Sequence, residues 1–178
     1  MFSRVGSMRR GYNGAQVDSF LAEARQAYEG SAGVMDASQV MNMVFADERG
    51  GYKRREVDAT LDRLVSAFVA KDRAEYVARN GQQAWFDKAA DLAVTLYPRL
   101  LRPTNERFAE PVKASGYKKS DVDQFLDRVA AFFNDGAELN AEDVRSACFR
   151  SARSSKAYDE RIVDAYLNRV LLVMLAVE

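Results

Sequence analysis

Apolar residues fall at three-and-four spacing in four stretches of this chain: Val17, Phe20, Leu21 and Ala24; Val57, Leu61, Leu64 and Phe68; Val122, Phe125, Leu126 and Val129; and Val163, Tyr166, Leu167 and Val170. That spacing predicts four helices, each burying one stripe. Every stripe begins at the same point of a repeated segment, GYNGAQVDSFL from Gly11, GYKRREVDATL from Gly51, GYKKSDVDQFL from Gly116 and AYDERIVDAYL from Ala157. Each copy keeps Tyr, four residues, Val-Asp, and Leu four positions after the Val. Repetition of this kind identifies an architecture before it identifies a chemistry.

The copies form two pairs, since Gly11 to Gly51 is 40 residues, Gly116 to Ala157 is 41, and the halves lie 105 and 106 apart. Within each pair a second pattern recurs, DASQVMNMVF at 36–45 and NAEDVRSACF at 140–149. Asp36 and Asn140 read as N-caps, with Gln39 and Asp143 three residues on to complete a capping box, and each starts a short helix ending near Phe45 or Phe149. Asn13 caps the first repeat helix in the same way. Phe2 and Phe108 hold a similar place ahead of the first and third copies. The second helix is expected to run on to Gly81, and 82–97 to form a further helix with Trp85, Ala89, Leu92 and Leu96 on one side, closed off by Pro98 and Pro103. No alternating β-branched run appears, so strands are not expected beyond a short extended piece before each Tyr. The expected fold is all-α: duplicated two-motif helical units, about seven helices, and no extended coiled coil. Residues 1–71 and 108–178 are the two repeat pairs and 72–107 a helical linker. The expected core is Val17, Leu21, Val57, Leu61, Leu64, Val122, Phe125, Leu126, Val163, Leu167 and Val170.

Composition narrows the function more than the fold. The 178 residues are 48% hydrophobic and 29% charged, the profile of a chain that buries an ordinary globular core. Lys and Arg balance Asp and Glu at 26 each, which argues against a surface built to hold nucleic acid. The single cysteine, Cys148, fits a reducing cytosol and reads as a small apolar residue on a helix face. The opening MFSRVGSMRR lacks the apolar stretch of a signal peptide, and VLLVMLAV at 170–177 is too short to span a membrane. The C-terminal helix is apolar around most of its circumference, which makes it either the centre of the second half or a dimer face. Monomer and homodimer both stay open.

No histidine occurs, which removes Ser-His and Cys-His nucleophilic pairs and the commonest metal ligand. No phosphate-binding loop, EF-hand spacing or dinucleotide fingerprint is present. The carboxylate neighbours Asp121 with Asp123 and Glu142 with Asp143 read as exposed helix starts. The sequence therefore implies no enzyme, cofactor or metal. The repeat residues read as structural: Asp18, Asp58, Asp123 and Asp164 sit in the first turn of each helix, where a carboxylate favours the helix N-terminus. Tyr12, Tyr52, Tyr117 and Tyr158 are expected to pack back over that turn with the hydroxyl on a polar partner. Gly11, Gly51 and Gly116 suggest tight or left-handed turns. Around the turns lie the cations Arg9, Arg10, Arg54, Arg55, Lys118, Lys119 and Lys156, candidates for contact with a protein partner or an anionic lipid surface.

A Phe, a short basic stretch, Gly-Tyr, four residues, Val-Asp and Phe-Leu, as in RRGYNGAQVDSFL, resembles the N-terminal domain of the DivIVA family of cell-pole and division-site scaffolds. The tandem arrangement is similar to DivIVA-domain repeat proteins of actinobacterial type. The resemblance covers most of the chain and implies a cytoplasmic protein-interaction module, peripheral to the inner face of the membrane or joined to the division or polarity apparatus. Family members contact membrane through a Phe-Arg pair just before Gly-Tyr. The aligned positions here are Arg9 and Arg10, Arg49 and Gly50, Ala114 and Ser115, and Ser155 and Lys156, so the basic partner is kept in the first copy and the apolar wedge is not. A soluble adaptor without a membrane role and a nucleic-acid-binding helical domain are the alternative readings.

Overall fold

The computed structural model describes residues 2–31, 33–112 and 114–178. The chain divides into two compact units, Met1–Asn80 and Gly81–Glu178. The first holds β1 (Arg10–Tyr12), α1 (Gly14–Glu29), α2 (Ala37–Met41), β2 (Asp47–Arg49) and α3 (Arg54–Asn80). The second holds α4 (Gln82–Val94), α5 (Tyr97–Leu100), β3 (Ser115–Lys118), α6 (Lys119–Asp135), α7 (Ala141–Arg145), β4 (Ser151–Arg153), a 3-10 turn at Ser154–Lys156, β5 (Ala157–Tyr158) and α8 (Glu160–Val177). The fold is mostly helical, as the periodicity predicts, but it is not purely α. The extended pieces around each Tyr pair into two small antiparallel sheets, β1-β2 and β4-β3-β5.

The helix starts follow from their caps. Asn13 Oδ1 accepts from Gln16 N at 2.9 Å. Both capping boxes close: Gln39 N to Asp36 Oδ1 at 2.7 Å with Asp36 N to Gln39 Oε1 at 2.9 Å, and Asp143 N to Asn140 Oδ1 at 2.9 Å with Asn140 N to Asp143 Oδ2 at 3.0 Å. Gly30 and Gly136 end α1 and α6 in the left-handed conformation, and Gly81, at φ 86°, separates α3 from α4. α2 and α7 are shorter than the sequence suggests, stopping at Met41 and Arg145 so that the chain can turn and insert Phe45 and Phe149. Phe45 lies against Tyr12 and Phe20 at 5.5 and 5.8 Å between ring centroids, and Phe149 against Tyr117 and Phe125 at 5.2 and 5.8 Å. The two units repeat this cluster residue for residue.

They also repeat strand register. Arg10, Gly11 and Tyr12 face Arg49, Glu48 and Asp47, and the equivalent Ser115, Gly116 and Tyr117 face Arg153, Ala152 and Ser151. The two copies within a unit then meet tyrosine to tyrosine: Tyr12 N donates to Tyr52 O at 3.0 Å and Tyr52 N to Tyr12 O at 2.8 Å, while Tyr117 pairs with Tyr158. Glycine is required here for a reason other than the expected one. Gly11, Gly51 and Gly116 are not left-handed, but a Cβ on them would stand 2.2 Å from Tyr52 O, 2.3 Å from Tyr12 O and 2.1 Å from Tyr158 O. Their role is to let two backbones touch.

Most of the expected core is buried, but Leu21, Leu61 and Leu64 are only half-buried, and Leu92, at 42% exposure, lies outside it. In the second unit the equivalents Leu126, Leu167 and Val170 are buried, and α8 is central. Residues 72–80 complete α3, whereas α4 and α5 pack within the second unit, Trp85 Nε1 donating to Ala176 O at 2.8 Å and Tyr166 Oη to Leu96 O at 2.8 Å. Val57 and Phe68 anchor α3 in the first unit, where it packs on α2.

The backbone contact makes a sharp test of the glycines. Gly116→Ala forces the methyl into a carbonyl that cannot retreat and is expected to cost about 1–3 kcal/mol, whereas Gly6→Ala, with nothing within 4 Å of its Cβ, should change stability by less than about 0.5 kcal/mol. Urea denaturation followed by circular dichroism on each variant of the full chain distinguishes the two.

Candidate functional site

The repeat's aspartates reach across to the opposite copy. Tyr52 Oη, from the second copy, donates to Asp18 Oδ2 of the first at 3.0 Å, and Tyr158 Oη of the fourth to Asp123 Oδ1 of the third at 3.0 Å. In the reciprocal direction the Tyr12 hydroxyl interacts with Asp58 and that of Tyr117 with Asp164. So the signature residues join the two copies of a pair. Burial raises the carboxyl pKa of Asp58 and of Asp164, opposed in each by the tyrosine hydroxyl. Burial likewise pushes the Tyr117 and Tyr158 hydroxyls up to about 12, with the facing carboxylates adding to the shift.

The second unit adds a buried charge cluster that the sequence did not announce. Arg107 is 6% exposed and Asp123 3%. The Arg107 guanidinium donates from Nη1 to Asp123 O at 2.8 Å and from Nη2 to Asp127 Oδ1 at 2.5 Å, and its backbone N donates to Tyr158 Oη at 3.1 Å. Asn105 N donates to Asp123 Oδ2 at 2.7 Å. Asp123 is therefore no exposed helix start, and it is satisfied as a buried carboxylate must be. The only signal in the sequence was an arginine placed immediately before Phe108, whose ring lies 5.3 Å from Tyr158. Asp121, two residues before, is held well below the usual carboxylate range by the Arg150 guanidinium that hydrogen-bonds it.

The candidate cations separate into two groups. Lys119 is buried, with Nζ donating to Glu110 Oε1 at 2.7 Å and lying 5.4 Å over the Tyr158 ring, so it is not available as a surface contact. Arg54 is paired with Asp47 at 2.6 Å and covers Tyr12, and Lys118 lies 3.9 Å from Asp121. Arg9, Arg10, Arg55 and Lys156 are exposed. Of these, Arg9 and Arg10 end a tight turn closed by Arg9 N to Gly6 O at 2.8 Å, with Met8 at its tip, 93% exposed. Arg10 stands directly opposite the exposed Arg49 in the β1-β2 pair. Like charges in that relation repel. Nothing in the fold of the first unit asks for them.

Cys148 is exposed, because α7 stops before it and the expected helix face does not exist there. A shallow groove of about 280 Å³ lies between α1 and the loop after α2, lined by Gln16, Ser19, Phe20, Glu23, Met43 and Val44. Among the described residues no group of three or more His, Cys, Asp or Glu could hold a metal ion, and no helix is long and apolar enough to cross a membrane. Comparison with protein-family models, with curated proteins and with solved structures found no match.

Two consequences of the tyrosine geometry can be measured. Tyr158→Phe strands the Arg107 amide and part of Asp123 in the interior and is expected to cost about 1–3 kcal/mol; Tyr52→Phe, whose partner Asp18 is exposed, should cost less in the same denaturation assay. Ultraviolet titration should show Tyr117 and Tyr158 ionising near pH 12 rather than near 10. Because the unfolded chain loses those protons first, their contribution to stability is whole below about pH 10 and is lost between about pH 10 and 12.

Proposed function

We propose that the chain is a non-enzymatic interaction module of DivIVA-like type, acting on the cytoplasmic side at the membrane surface or the division and polarity apparatus. The observation that carries this reading is the turn before β1 in the first unit, where the exposed Met8 is followed by exposed Arg9 and Arg10, and the strand pairing sets Arg10 against the exposed Arg49. The equivalent pair in the second unit is Ser115 and Arg153, which removes the repulsion. An apolar side chain framed by cations suits an anionic lipid surface. Each cation near such a surface contributes roughly 1 kcal/mol and one inserted side chain adds little more, so binding is reversible and salt-sensitive. Met8 would supply the apolar wedge that the aligned Phe position lacks.

The internal use of Tyr12, Tyr52, Asp58, Tyr117, Asp123, Tyr158 and Asp164 also supports a binding role, since it leaves these residues as scaffold and puts recognition on what surrounds them. Against a nucleic-acid binder stand the balanced charge and the capture of Arg54, Lys118 and Lys119 by acidic side chains. The soluble-adaptor reading is favoured by a different observation, the half-open face of Leu21, Leu61 and Leu64 in the first unit.

Flotation with anionic and neutral vesicles across a salt series tests the membrane reading. Wild type should float with anionic vesicles at low salt and release as salt rises, Arg9→Glu with Arg10→Glu should abolish flotation, and Met8→Ser should weaken it severalfold. Flotation that ignores all three substitutions, or none at any salt, overturns the membrane role.

A further inference from the structure

Duplication supplies a comparison inside one chain. In the second unit α4 packs along α8 and α5 against α6, and Leu126, Leu167 and Val170 are 0%, 8% and 0% exposed. Their equivalents in the first unit, Leu21, Leu61 and Leu64, are half-buried, and among its described residues there is no counterpart of α4 and α5. Beyond α5 the chain turns at 103–106, with Glu106 N donating to Pro103 O and Asn105 at φ 68°, and finishes the cover by placing the amide of Asn105 on Asp123, the amide of Arg107 on the Tyr158 hydroxyl, and the Arg107 guanidinium on Asp123 O. The first unit keeps the pair, Asp18 and Tyr52 being hydrogen-bonded to each other at 3.0 Å as Asp123 and Tyr158 are; Tyr52 is itself buried under Phe2 and Arg4, but Asp18 is exposed.

We propose that this α1–α3 face of the first unit is a docking site for a partner protein that presents an amphipathic helix continuing into an arginine-bearing turn. The helix covers Leu21, Leu61 and Leu64, and the arginine takes the exposed Asp18 carboxylate. Charge complementarity and the occupant of the equivalent face specify the same chemistry. One difference weakens the contact: Ala22 stands where Asp127 holds the second arm of Arg107, so the arginine meets one carboxylate. A dissociable complex is the consequence, with the same segment in the second unit held by its covalent link. The proposal rests on the interaction-module reading above but not on its membrane tip, so flotation and the experiment below can fail independently.

The test titrates the full chain into a fluorescein-labelled peptide with the chain's own sequence from 82 to 107, read by fluorescence anisotropy. Saturable binding below about 1 mM is expected, with Asp18→Asn weakening it about tenfold and Leu61→Asp removing it. A peptide carrying Arg107→Glu should bind as poorly as wild-type peptide binds the Asp18→Asn chain. Asp18→Asn changes an exposed side chain and keeps the test valid even where Leu61→Asp proves unfolded by circular dichroism. Absence of saturation overturns the proposal, as does binding that Asp18→Asn leaves unchanged, because the peptide is then displacing its counterpart in the second unit. Concentration-dependent dimerisation of the full chain that Asp18→Asn abolishes, seen by sedimentation velocity, overturns the partner assignment in favour of a second copy.

Discussion

Everything in each unit depends on two backbones crossing at van der Waals contact. At the crossing of the first unit the amides and carbonyls of Tyr12 and Tyr52 exchange both hydrogen bonds, at 3.0 and 2.8 Å. That closeness forbids a Cβ at Gly11 and Gly51 and sets each tyrosine over the helix of the other copy, where its hydroxyl finds the aspartate one step past the buried valine. The phenylalanines follow: Phe2 and Phe45 each flank one of the two tyrosines, at 5.3 and 5.5 Å. A single copy could satisfy none of these groups, which is the physical reason the repeat comes in pairs. The fourth copy carries Ala157, with its methyl fully buried, and there the chain has one more residue between copies and a 3-10 turn just before the crossing. The insertion changes the approach on that side while Gly116 keeps the contact on the other.

Much of this was legible in the sequence, and what was not has identifiable causes. Helical periodicity and capping side chains are local, so the repeat helices, both capping boxes and the stop at Gly81 could be read directly. Strands of two to four residues are too short for a period of two to show, and their pairing depends on the distant copy. The glycines were noticed but misread, because close approach and left-handed geometry leave the same letter in a sequence. Periodicity also says which face of a helix is apolar without saying what covers it. Leu21, Leu61 and Leu64 therefore looked equivalent to Leu126, Leu167 and Val170. Arg107 was missed because its burial comes from Asp123 and Asp127 on α6, 16 and 20 residues away.

Where the units differ at the crossing, one exchange preserves the interaction. In the second unit Lys119 lies over the Tyr158 ring and is neutralised by Glu110. The equivalent positions in the first unit are Gly14 and Arg4, and Arg4 itself lies over Tyr52 at 5.0 Å, in space that a Cβ on Gly14 would narrow to 3.2 Å. The cation has moved from the helix to the segment ahead of β1, where Arg4 makes an isolated bridge to Tyr52, and the contact with the ring survives. A cation on a tyrosine face contributes roughly 0.5–2 kcal/mol depending on how dry the site is, and its retention by two routes marks it as part of the crossing.

Differences that preserve nothing carry the opposite meaning. Ser115 opposite Arg153 sets no like charges against each other, whereas Arg10 directly opposite Arg49 does, a pairing that costs stability. Leu126 sealed against solvent is an ordinary core residue, whereas Leu21 half-open on the same scaffold gives up part of the burial that the second unit gains. Both concessions fall in the first unit, and both leave exposed the kind of surface a partner can use: cations beside an exposed methionine in one place, half-buried leucines and the exposed Asp18 in the other. The second half of the fold avoids each concession, and the proposed contacts are what would make up the difference in the first. Under the proposed reading recognition belongs to the first unit, and the second is the same scaffold with the equivalent face filled from within.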